Sequence, residues 1–395
     1  MKILYVASTN LSGETGSPGS VRHVMEVAEN LQARGHEVIV LVPGVGRYPH
    51  PATVRIVYVP CIRRRYLRTL VHEALVPFWL ARFLPWADAV YWRQALLSPW
   101  PPLLARIFGK PLVAEVNGLT ADEVNTEAIT SLRRRVILAL ERMNYGLARR
   151  LVCVAPRIAE RIREHYGLAE EKVRVVLNGV NANRMPLMDA RQARAGIGLP
   201  PDAPVVGFVG HFFPWDGIET LIAAAPAVLA RFPETRFVVV GSGPWGGHLP
   251  ELARTTGVGE AFVFTGRVPW ERLYLYLNAF DIATAPYSSA INQESGRSSL
   301  KLLEYFALAK PVVASETDVI PEVRDLETRG LGVLVTPEEP GDLARALNEL
   351  LADPEKRARL GQGGREYVLS ERGWDKVAQQ VEAVILEAAG QGEGR

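Results

Sequence analysis

The sequence predicts an α/β protein built from two doubly wound, Rossmann-like domains. Short runs rich in valine and isoleucine alternate with segments of helical period, which is typical of buried parallel strands joined by helices. The alternation is interrupted by the proline-rich stretch GIGLPPDAP at 196–204 and then starts again. With 395 residues, 48% of them hydrophobic, the chain is long enough for two domains that each bury a core.

The first predicted domain spans residues 1–198. Its opening segments, KILYVAS, VMEVAENLQARG and HEVIVLVP, have the strand, helix and strand periods of a βαβ unit. Further strands are expected in DAVYW, PLVAEVNG, RLVCVAP and VRVVLNGV, with helices between them. Charged residues and prolines interrupt the most apolar span, 70–86, so we do not expect a membrane-crossing helix there.

The second predicted domain spans residues 203–370. Its strands are expected in VVGFVG, RFVVVG, AFVFTG, DIATAPY, PVVAS and GVLV, and the chain ends in helices. Ligands of open α/β sheets bind beyond the carboxyl ends of the strands. We therefore expect the functional site in a cleft between the two domains.

The composition of the chain limits which binding partners and which cellular compartment are expected. The formal net charge of +2 favours neither nucleic acid nor an acidic polymer as a partner. Cys61 and Cys153 are far apart and lack the spacing of a zinc site, which fits a reducing cytosol. The first residues, MKILYVAS, lack the long apolar core of a signal peptide. We therefore expect a cytoplasmic protein that does not bind nucleic acid.

The segment SSLKLLEYFALAKPVVAS at 298–315 carries the clearest candidate site. Its helical pattern places Lys301 and Glu304 on one face near the helix start, where free amides favour an anion. A phosphate is expected over the first residues of this segment, Ser298, Ser299, Leu300 and Lys301, and Glu304 could accept hydrogen bonds from the vicinal hydroxyls of a ribose. The alternative is an exposed salt bridge between residues three apart on a helix.

This segment resembles the donor-site helix of glycosyltransferase family 4, and other segments are similar to that family in the same order. They are SPGSVRHVMEVAENLQARGHEVIVLVP, VRVVLNGVNANRM, RFVVVGSGP, FVFTGRVPWERLYLYLNAFDIATAPY and LADPEKRARLGQGGREYVLSERGWDKVA. The resemblance implies a GT-B fold in which a C-terminal helix, about 372–395, completes the first domain. It also implies sugar transfer with retention of anomeric configuration and without a metal or other cofactor.

The resemblance also implies residue roles. Glu304 would bind the ribose hydroxyls, and Val268 would contact the base through its backbone. Gly19 would let the diphosphate approach the first loop, since glycine has no side chain in the way; an ordinary flexible loop is the alternative. His23, in the same N-terminal segment, is a candidate contact to the sugar or the acceptor.

The chain departs from the commonest family pattern beside this helix. A second glutamate usually precedes Glu304 by eight residues, and Gly296 stands there. Glu294 and Arg297 lie nearby, and Glu294 could reach the sugar hydroxyls or simply be solvated. The segment instead matches a subset of the family that carries SxxKxxEY, here from Ser298 to Tyr305.

The basic pair that many members use for the diphosphate is also missing. The stretch VGHFFPWDGIETLI has His211 and Asp216 at those places, and an aspartate cannot neutralise a phosphate. His211 remains a donor-binding candidate. Either Lys301, Arg297 and the helix amides carry the diphosphate, or donor affinity is weak.

Asn117, in EVNG, stands where many relatives have a histidine near the sugar. An asparagine can bind hydroxyls but cannot act as a general acid or base, although the leaving phosphate oxygen can take the acceptor proton. We take Asn117, Glu294 and Lys301 as catalytic candidates, and Glu115 and Asn117 as contacts to the sugar or acceptor. The alternative for Glu115 and Asn117 is a strand end that satisfies loop backbone groups.

Two other patterns in the sequence have more than one interpretation. GSGPWG at 241–246 satisfies the GxGxxG pattern, but it does not follow the first strand of its domain, so NAD binding is not predicted. RRRYLR from Arg63 and the arginines at 133–135 adjoin apolar segments, which suits an anionic membrane surface or a solvated helix rim.

The sequence thus predicts transfer of a sugar from a nucleoside-diphosphate sugar to a saccharide or lipid-linked acceptor, in the cytoplasm or at the inner face of the membrane. Two alternatives stay open. A nucleotide-sugar epimerase would share the fold, and a non-catalytic sugar-nucleotide-binding protein is suggested by Gly296, Asp216 and Asn117.

Overall fold

The computed structural model describes residues 1–12, 18–62, 65–95, 98–118, 131–290 and 296–390. The chain divides into two compact units. The first comprises Met1–Asn178, Ser295–Arg297 and Trp374–Arg395, and the second comprises Gly179–Glu294 and Ser298–Gly373.

The first unit contains a parallel sheet of seven strands in the described part of the chain. The strands are β1 (Lys2–Ala7), β2 (Glu37–Pro43), β3 (Arg55–Val59), β4 (Ala89–Arg93), β5 (Leu112–Val116), β6 (Arg150–Cys153) and β7 (Val173–Val175). Their order is β3-β2-β1-β4-β5-β6-β7. The winding direction reverses between β1 and β4, so a switch point lies at the carboxyl ends of these two strands.

The second unit contains a parallel sheet of six strands among the residues that the structure describes. They are β8 (Val205–His211), β9 (Arg236–Ser242), β10 (Phe262–Gly266), β11 (Ile282–Ala285), β12 (Val312–Ser315) and β13 (Gly332–Val335). Their order is β10-β9-β8-β11-β12-β13. Here the winding reverses between β8 and β11, which gives this unit its own switch point.

Helices connect the strands. In the described residues they are α1 (Pro18–Ala33), α2 (Arg65–Phe83), α3 (Trp100–Ile107), α4 (Ser131–Leu147), α5 (Pro156–Tyr166), α6 (Ala190–Gly196), α7 (Ile218–Leu229), α8 (Leu249–Thr255), α9 (Trp270–Ala279), α10 (Leu300–Ala307), α11 (Pro321–Thr328), α12 (Pro340–Ala352), α13 (Pro354–Glu371) and α14 (Trp374–Ala388). Within these ranges no helix has both the length and the apolar character needed to cross a bilayer.

The strands explain the core of the first unit. β1, β2 and β5 are buried over nearly their whole length, as expected for parallel strands covered by helices on both faces. β3 was not predicted from the sequence. It is an edge strand whose residues alternate between buried and partly exposed, so it lacks the continuous apolar run of the central strands.

The C-terminal helix α14 belongs to the first unit. It packs along α1 and buries the apolar face that begins at Trp374 and Val377. The side chains of Arg34 and His36 bond the carboxylate of Glu382 at 2.6 and 2.7 Å. Apolar burial and these polar contacts hold α14 to the first sheet and its helices.

Residues 179–198 lie in the second unit, whereas the sequence placed the boundary at 198. The helix α6 packs against α9. The amide of Met188 donates to the Oδ1 atom of Asn278 at 3.0 Å, and the Arg194 guanidinium donates to Asp281 at 2.6 Å. The proline-rich stretch is therefore a turn inside the second unit, and side-chain contacts place α6 there.

Candidate active site

The second unit carries a polar cluster at its switch point, built around the start of α10. Tyr305 is buried and ties this helix to the sheet: its hydroxyl accepts the Val209 amide at 2.8 Å and donates to the Thr284 carbonyl at 3.3 Å. Burial raises the pKa of Tyr305 well above its usual value. The helix is thereby fixed beside the ends of β8 and β11.

Lys301 projects from the first turn of α10 into this switch point. Its Nζ atom donates to Asp216 at 2.6 Å and lies 4.3 Å from the centre of the Phe208 ring and 5.2 Å from that of Tyr287. Asp216 is 4% exposed and also accepts the amide of Phe213 at 3.1 Å. The missing basic residue at 216 is thus replaced by an acid that pairs with Lys301.

Ser298 and Ser299 are engaged by a buried glutamate that the sequence did not point to. The Ser298 hydroxyl donates to one oxygen of Glu322 at 2.6 Å, and the Ser299 amide donates to the other at 2.8 Å. Arg372 also donates to this carboxylate. In the segment expected to bind phosphate, Leu300 and Lys301 form the start of the helix. Their backbone amides have no hydrogen-bond partner within the helix.

Glu304 lies in the middle of α10, one turn after Lys301, and is 6% exposed. The alternative of an exposed salt bridge between Lys301 and Glu304 is wrong, because both side chains are largely buried and Lys301 pairs with Asp216. Ligands of open α/β sheets bind at such switch points.

The other residues predicted for this site are placed as follows. His211 is exposed at the end of β8, and the centre of its ring lies 4.7 Å from that of Phe213 in an edge-to-face arrangement. Val268 follows β10, is partly buried and packs on the core of the second unit. Arg297 is partly buried and groups with the first unit. Glu294 lies outside the described residues.

The first unit carries a second buried cluster at its own switch point, centred on Glu115 of β5. Glu115 is 0% exposed. Four side chains donate to its carboxylate: His23 at 2.8 Å, Tyr91 at 2.7 Å, Arg93 at 2.5 Å and Asn117 at 2.6 Å. Burial by itself disfavours the charged form, but the nearby His23 and Arg93 outweigh it and hold the pKa of Glu115 far below its usual range.

His23 and Glu115, the predicted contacts to sugar or acceptor, bond each other and neighbouring side chains of the first unit. His23 is buried on α1, donates from Nε2 to the Glu115 carboxylate, and bonds Asn178 through Nδ1 at 2.9 Å. Its ring packs edge-on against Trp374. All the polar atoms of His23 are therefore used within the first unit.

Asn117 and Arg93 are the members of this cluster that are only partly buried. Because a carboxylate can only accept, Asn117 donates from Nδ2 to Glu115, and its carbonyl oxygen points away as an acceptor. Arg93 ends β4 at the switch point, and the sequence analysis missed it because a single arginine after a buried strand is unremarkable. Gly19 lies in the first turn of α1, next to residues 13–17, which are not described.

The residues that the structure describes contain no group of three or more histidine, cysteine, aspartate or glutamate side chains placed to hold a metal ion.

Two family models match the chain. Residues 18–184 match the model described as Glycosyltransferase Family 4, and residues 189–367 match Glycosyl transferases group 1. A D-inositol 3-phosphate glycosyltransferase of Acidothermus cellulolyticus is 30% identical over 319 residues, 77% of this chain and 68% of the relative. That of Streptomyces bingchenggensis is 33% identical over 331 residues, 81% of this chain.

Several of these relatives are longer than the matched region. The chain spans 66% of the Streptomyces protein and 60% of a D-inositol 3-phosphate glycosyltransferase of Nocardia farcinica. A GDP-mannose-dependent alpha-(1-6)-phosphatidylinositol monomannoside mannosyltransferase of Mycolicibacterium smegmatis is 33% identical over 202 residues, 50% of this chain and 51% of the relative.

Solved structures share this fold. Sucrose-phosphate synthase of Thermosynechococcus elongatus superposes with a TM-score of 0.77 at 22% identity, covering 98% of this chain and 99% of that chain. Anabaena HepE in complex with UDP-glucose gives 0.72 at 18% identity, with 98% and 100% covered. This similarity confirms the predicted pair of parallel α/β domains of the GT-B type.

Proposed function

Because the chain belongs to glycosyltransferase family 4, we propose that it transfers a sugar from a nucleoside-diphosphate sugar to a saccharide or lipid-linked acceptor. The observation that carries the proposal is the cluster at the switch point of the second unit, where Lys301 and the buried Glu304 lie one turn apart on α10. Relatives and structural neighbours support the donor class, since their names include UDP-glucose and GDP-mannose.

In this proposal the second unit binds the donor. The amides of the first turn of α10 and the ammonium of Lys301 take the diphosphate, because a helix start and a lysine both favour an anion. Glu304 accepts hydrogen bonds from the ribose hydroxyls, and Val268 contacts the base through its backbone. Ser298 and Ser299 act through Glu322, which fixes the start of the helix.

The proposed reaction keeps the anomeric configuration and needs no metal. The bond between the anomeric carbon and the donor phosphate breaks, and the acceptor oxygen bonds to the same face of that carbon. The acceptor proton moves to the departing phosphate oxygen. Lys301 and the helix amides stabilise the charge that develops on the diphosphate, which is electrostatic catalysis by fixed groups.

In the first unit, Asn117 is the proposed contact to the sugar or acceptor. The bond between Nδ2 and Glu115 leaves its carbonyl oxygen as the acceptor for a ligand. Such an acceptor suits a sugar hydroxyl, and it cannot act as a general base. Arg93 beside it could bind an anionic or hydroxyl group of the same molecule.

We also propose that the acceptor is lipid-linked and that α2 meets the membrane surface. Leu70 and Phe78 are 67% and 73% exposed and lie two turns apart with Leu67 and Ala74 on the same helical face, and Arg82 is exposed at the end of the helix. An apolar stripe with a basic residue at its end suits an anionic bilayer. Arg63 and Arg64 lie outside the described residues.

A second candidate is a non-catalytic binder of sugar nucleotides. The pairing of Lys301 with Asp216 favours it, because the pair leaves no net positive charge for the diphosphate. A nucleotide-sugar epimerase remains the third option, with no structural feature in its favour.

A panel of sugar nucleotides separates these functions. Each is incubated with the protein alone, and then with saccharide and lipid-linked acceptors, while thermal shift and product formation are followed. A transferase releases the nucleoside diphosphate and forms a glycosylated acceptor. Interconversion of the sugar nucleotide without acceptor would identify an epimerase, and thermal shift without turnover would identify a binder.

A further inference from the structure

Lys301 is paired with a carboxylate before any ligand arrives. Its Nζ atom donates to Asp216 Oδ1 at 2.6 Å. The Asp216 carboxylate is buried and also accepts the Phe213 amide at 3.1 Å, so the side chain has little freedom to turn away. Lys301 and Asp216 therefore form a fixed pair of opposite charges in the second unit.

The surroundings of the pair keep the ammonium in one place. The rings of Phe208 and Tyr287 lie within the range at which aromatic faces attract a cation. A side chain at Gly210 would come within 3.0 Å of the Lys301 Nζ atom, so glycine leaves the space that the ammonium occupies. The cation thus stands at the end of β8, where α/β folds bind ligands.

We propose that Asp216 competes with the donor diphosphate for Lys301 and thereby sets the donor affinity of the site. The proposal rests on the proposed function, because it requires a diphosphate at Lys301. Two anions that both bond one ammonium lie no more than about 6 Å apart. Like charges at that distance repel one another strongly in a partly buried site. Asp216 therefore keeps the lysine in position without ligand and lowers its affinity for a phosphate.

The competing explanation is that the pair only stabilises the fold. Under that explanation, removing the charge of Asp216 lowers stability and leaves donor affinity unchanged or weaker. Under competition, the same change increases donor affinity. The Lys301 ammonium stays beside the aromatic rings, and no anionic side chain competes with the phosphate for it. The sign of the change in affinity distinguishes the two.

The variant Asp216→Asn tests the proposal. Asparagine has the same shape without the charge. Lys301 and the Phe213 amide bond different oxygens of Asp216, so the single Oδ1 atom of asparagine keeps one of these two contacts. We expect UDP and GDP, measured by calorimetric titration on the full chain, to bind about 10-fold tighter, which corresponds to about 1.4 kcal/mol. The gain should be largest at low salt. Asp216→Ser serves the same purpose if the asparagine variant does not fold.

The matched control is Asp353→Asn. Asp353 is exposed in the same unit and accepts the amide of Lys356 at 2.8 Å, so this change removes one negative charge and alters one amide contact of the same kind. We expect the Kd values for UDP and GDP to stay within twofold of the wild type, a difference of about 0.4 kcal/mol.

A double-mutant cycle with Lys301→Met tests whether the effect passes through the lysine. Competition predicts that Asp216→Asn brings no gain in the Lys301→Met background, because no lysine is left to release. Weaker or unchanged binding by Asp216→Asn alone, or an equal gain without Lys301, would overturn the proposal. If Asp216→Asn, Lys301→Met and Glu304→Ala all leave the Kd unchanged, the proposed donor site itself is wrong.

Discussion

At the scale of single residues, Glu115 shows how a charge is kept in the centre of the first unit. Water is excluded from it, yet two basic side chains and two neutral donors surround the carboxylate. Burying a lone carboxylate would be costly, so the ionised form persists only because His23 and Arg93 stand beside it. The hydrogen bond that Asn117 donates to this ionised carboxylate orients its side chain.

The variant Glu115→Gln tests the ionised state. Because its pKa is lowered in the folded protein, the carboxylate contributes stability above its unfolded pKa, near 4.5, and loses that contribution as the pH falls below it. We expect the variant to lower the free energy of unfolding by about 3 kcal/mol at pH 7, and by clearly less at pH 3.5. Urea unfolding at the two pH values measures this, and equal losses at both would contradict an ionised Glu115.

Sequence reasoning found the chemistry-bearing residues better than their partners. Lys301 and Glu304 follow from the pattern of one helical segment, and Asn117 follows from its place after a buried strand. The bond between Lys301 and Asp216 joins residues 85 apart in the chain, and no local pattern encodes such a pairing. For the same reason Glu115 was expected to touch a ligand, whereas four side chains enclose it.

At the scale of elements, the start of α10 is held by α11 and by the end of α13. Glu322 lies in the first turn of α11. Its carboxylate accepts hydrogen bonds from the Ser298 hydroxyl, the Ser299 amide and the Arg372 guanidinium. A glutamate after a proline at a helix start is ordinary, so no local pattern indicates that Glu322 caps another helix.

The variant Glu322→Gln tests this contact. Neutralising the buried carboxylate removes the nearer of the two carboxylates that pair with Arg372, the other being Asp325 at 3.5 Å. We therefore expect a loss of about 3 kcal/mol in the free energy of unfolding and a raised KM for the donor. Glu371→Gln is the matched control, because Glu371 pairs with Arg329 on the surface of the same unit; it should cost less than about 1 kcal/mol and leave KM unchanged. Similar effects of the two variants would refute the assigned role of Glu322.

The elements themselves were predicted unevenly. Continuous apolar runs such as VVGFVG and PVVAS became β8 and β12, because strands buried on both faces have a clear sequence signature. The edge strand β3 and the position of α6 were missed. β3 is too exposed to form such a run, and α6 is placed by contacts to Asn278 and Asp281 that lie far along the chain.

At the scale of the whole molecule, each unit places one buried polar cluster at its own switch point, and the first unit also exposes an apolar stripe on α2. The two-unit GT-B organisation followed from the restart of the strand and helix alternation and from the order of the family motifs. The choice of acceptor and base did not follow, because both depend on side-chain contacts that no motif specifies.

The apolar stripe makes the membrane proposal testable. We expect the double change Leu70→Ser and Phe78→Ser to reduce co-sedimentation with vesicles of phosphatidylglycerol and phosphatidylcholine at least 10-fold, because two large exposed side chains no longer enter the bilayer. UDP affinity should not change. The control Leu187→Ser removes an exposed leucine of the second unit and should leave sedimentation unaltered. Undiminished sedimentation of the double variant would rule out α2 as the contact.

The central claim is that Glu304 binds the ribose of a nucleoside-diphosphate sugar, and one calorimetric comparison tests it most directly. Wild type and Glu304→Ala are titrated with UDP and GDP and with their 2′,3′-dideoxy analogues. Hydrogen bonds to a charged group contribute about 1.5 to 3 kcal/mol, so the variant should bind the natural nucleotides about 10- to 100-fold more weakly. It should bind the dideoxy analogues as the wild type does. Unchanged affinity for UDP and GDP, or equal losses for all four nucleotides, would contradict the account.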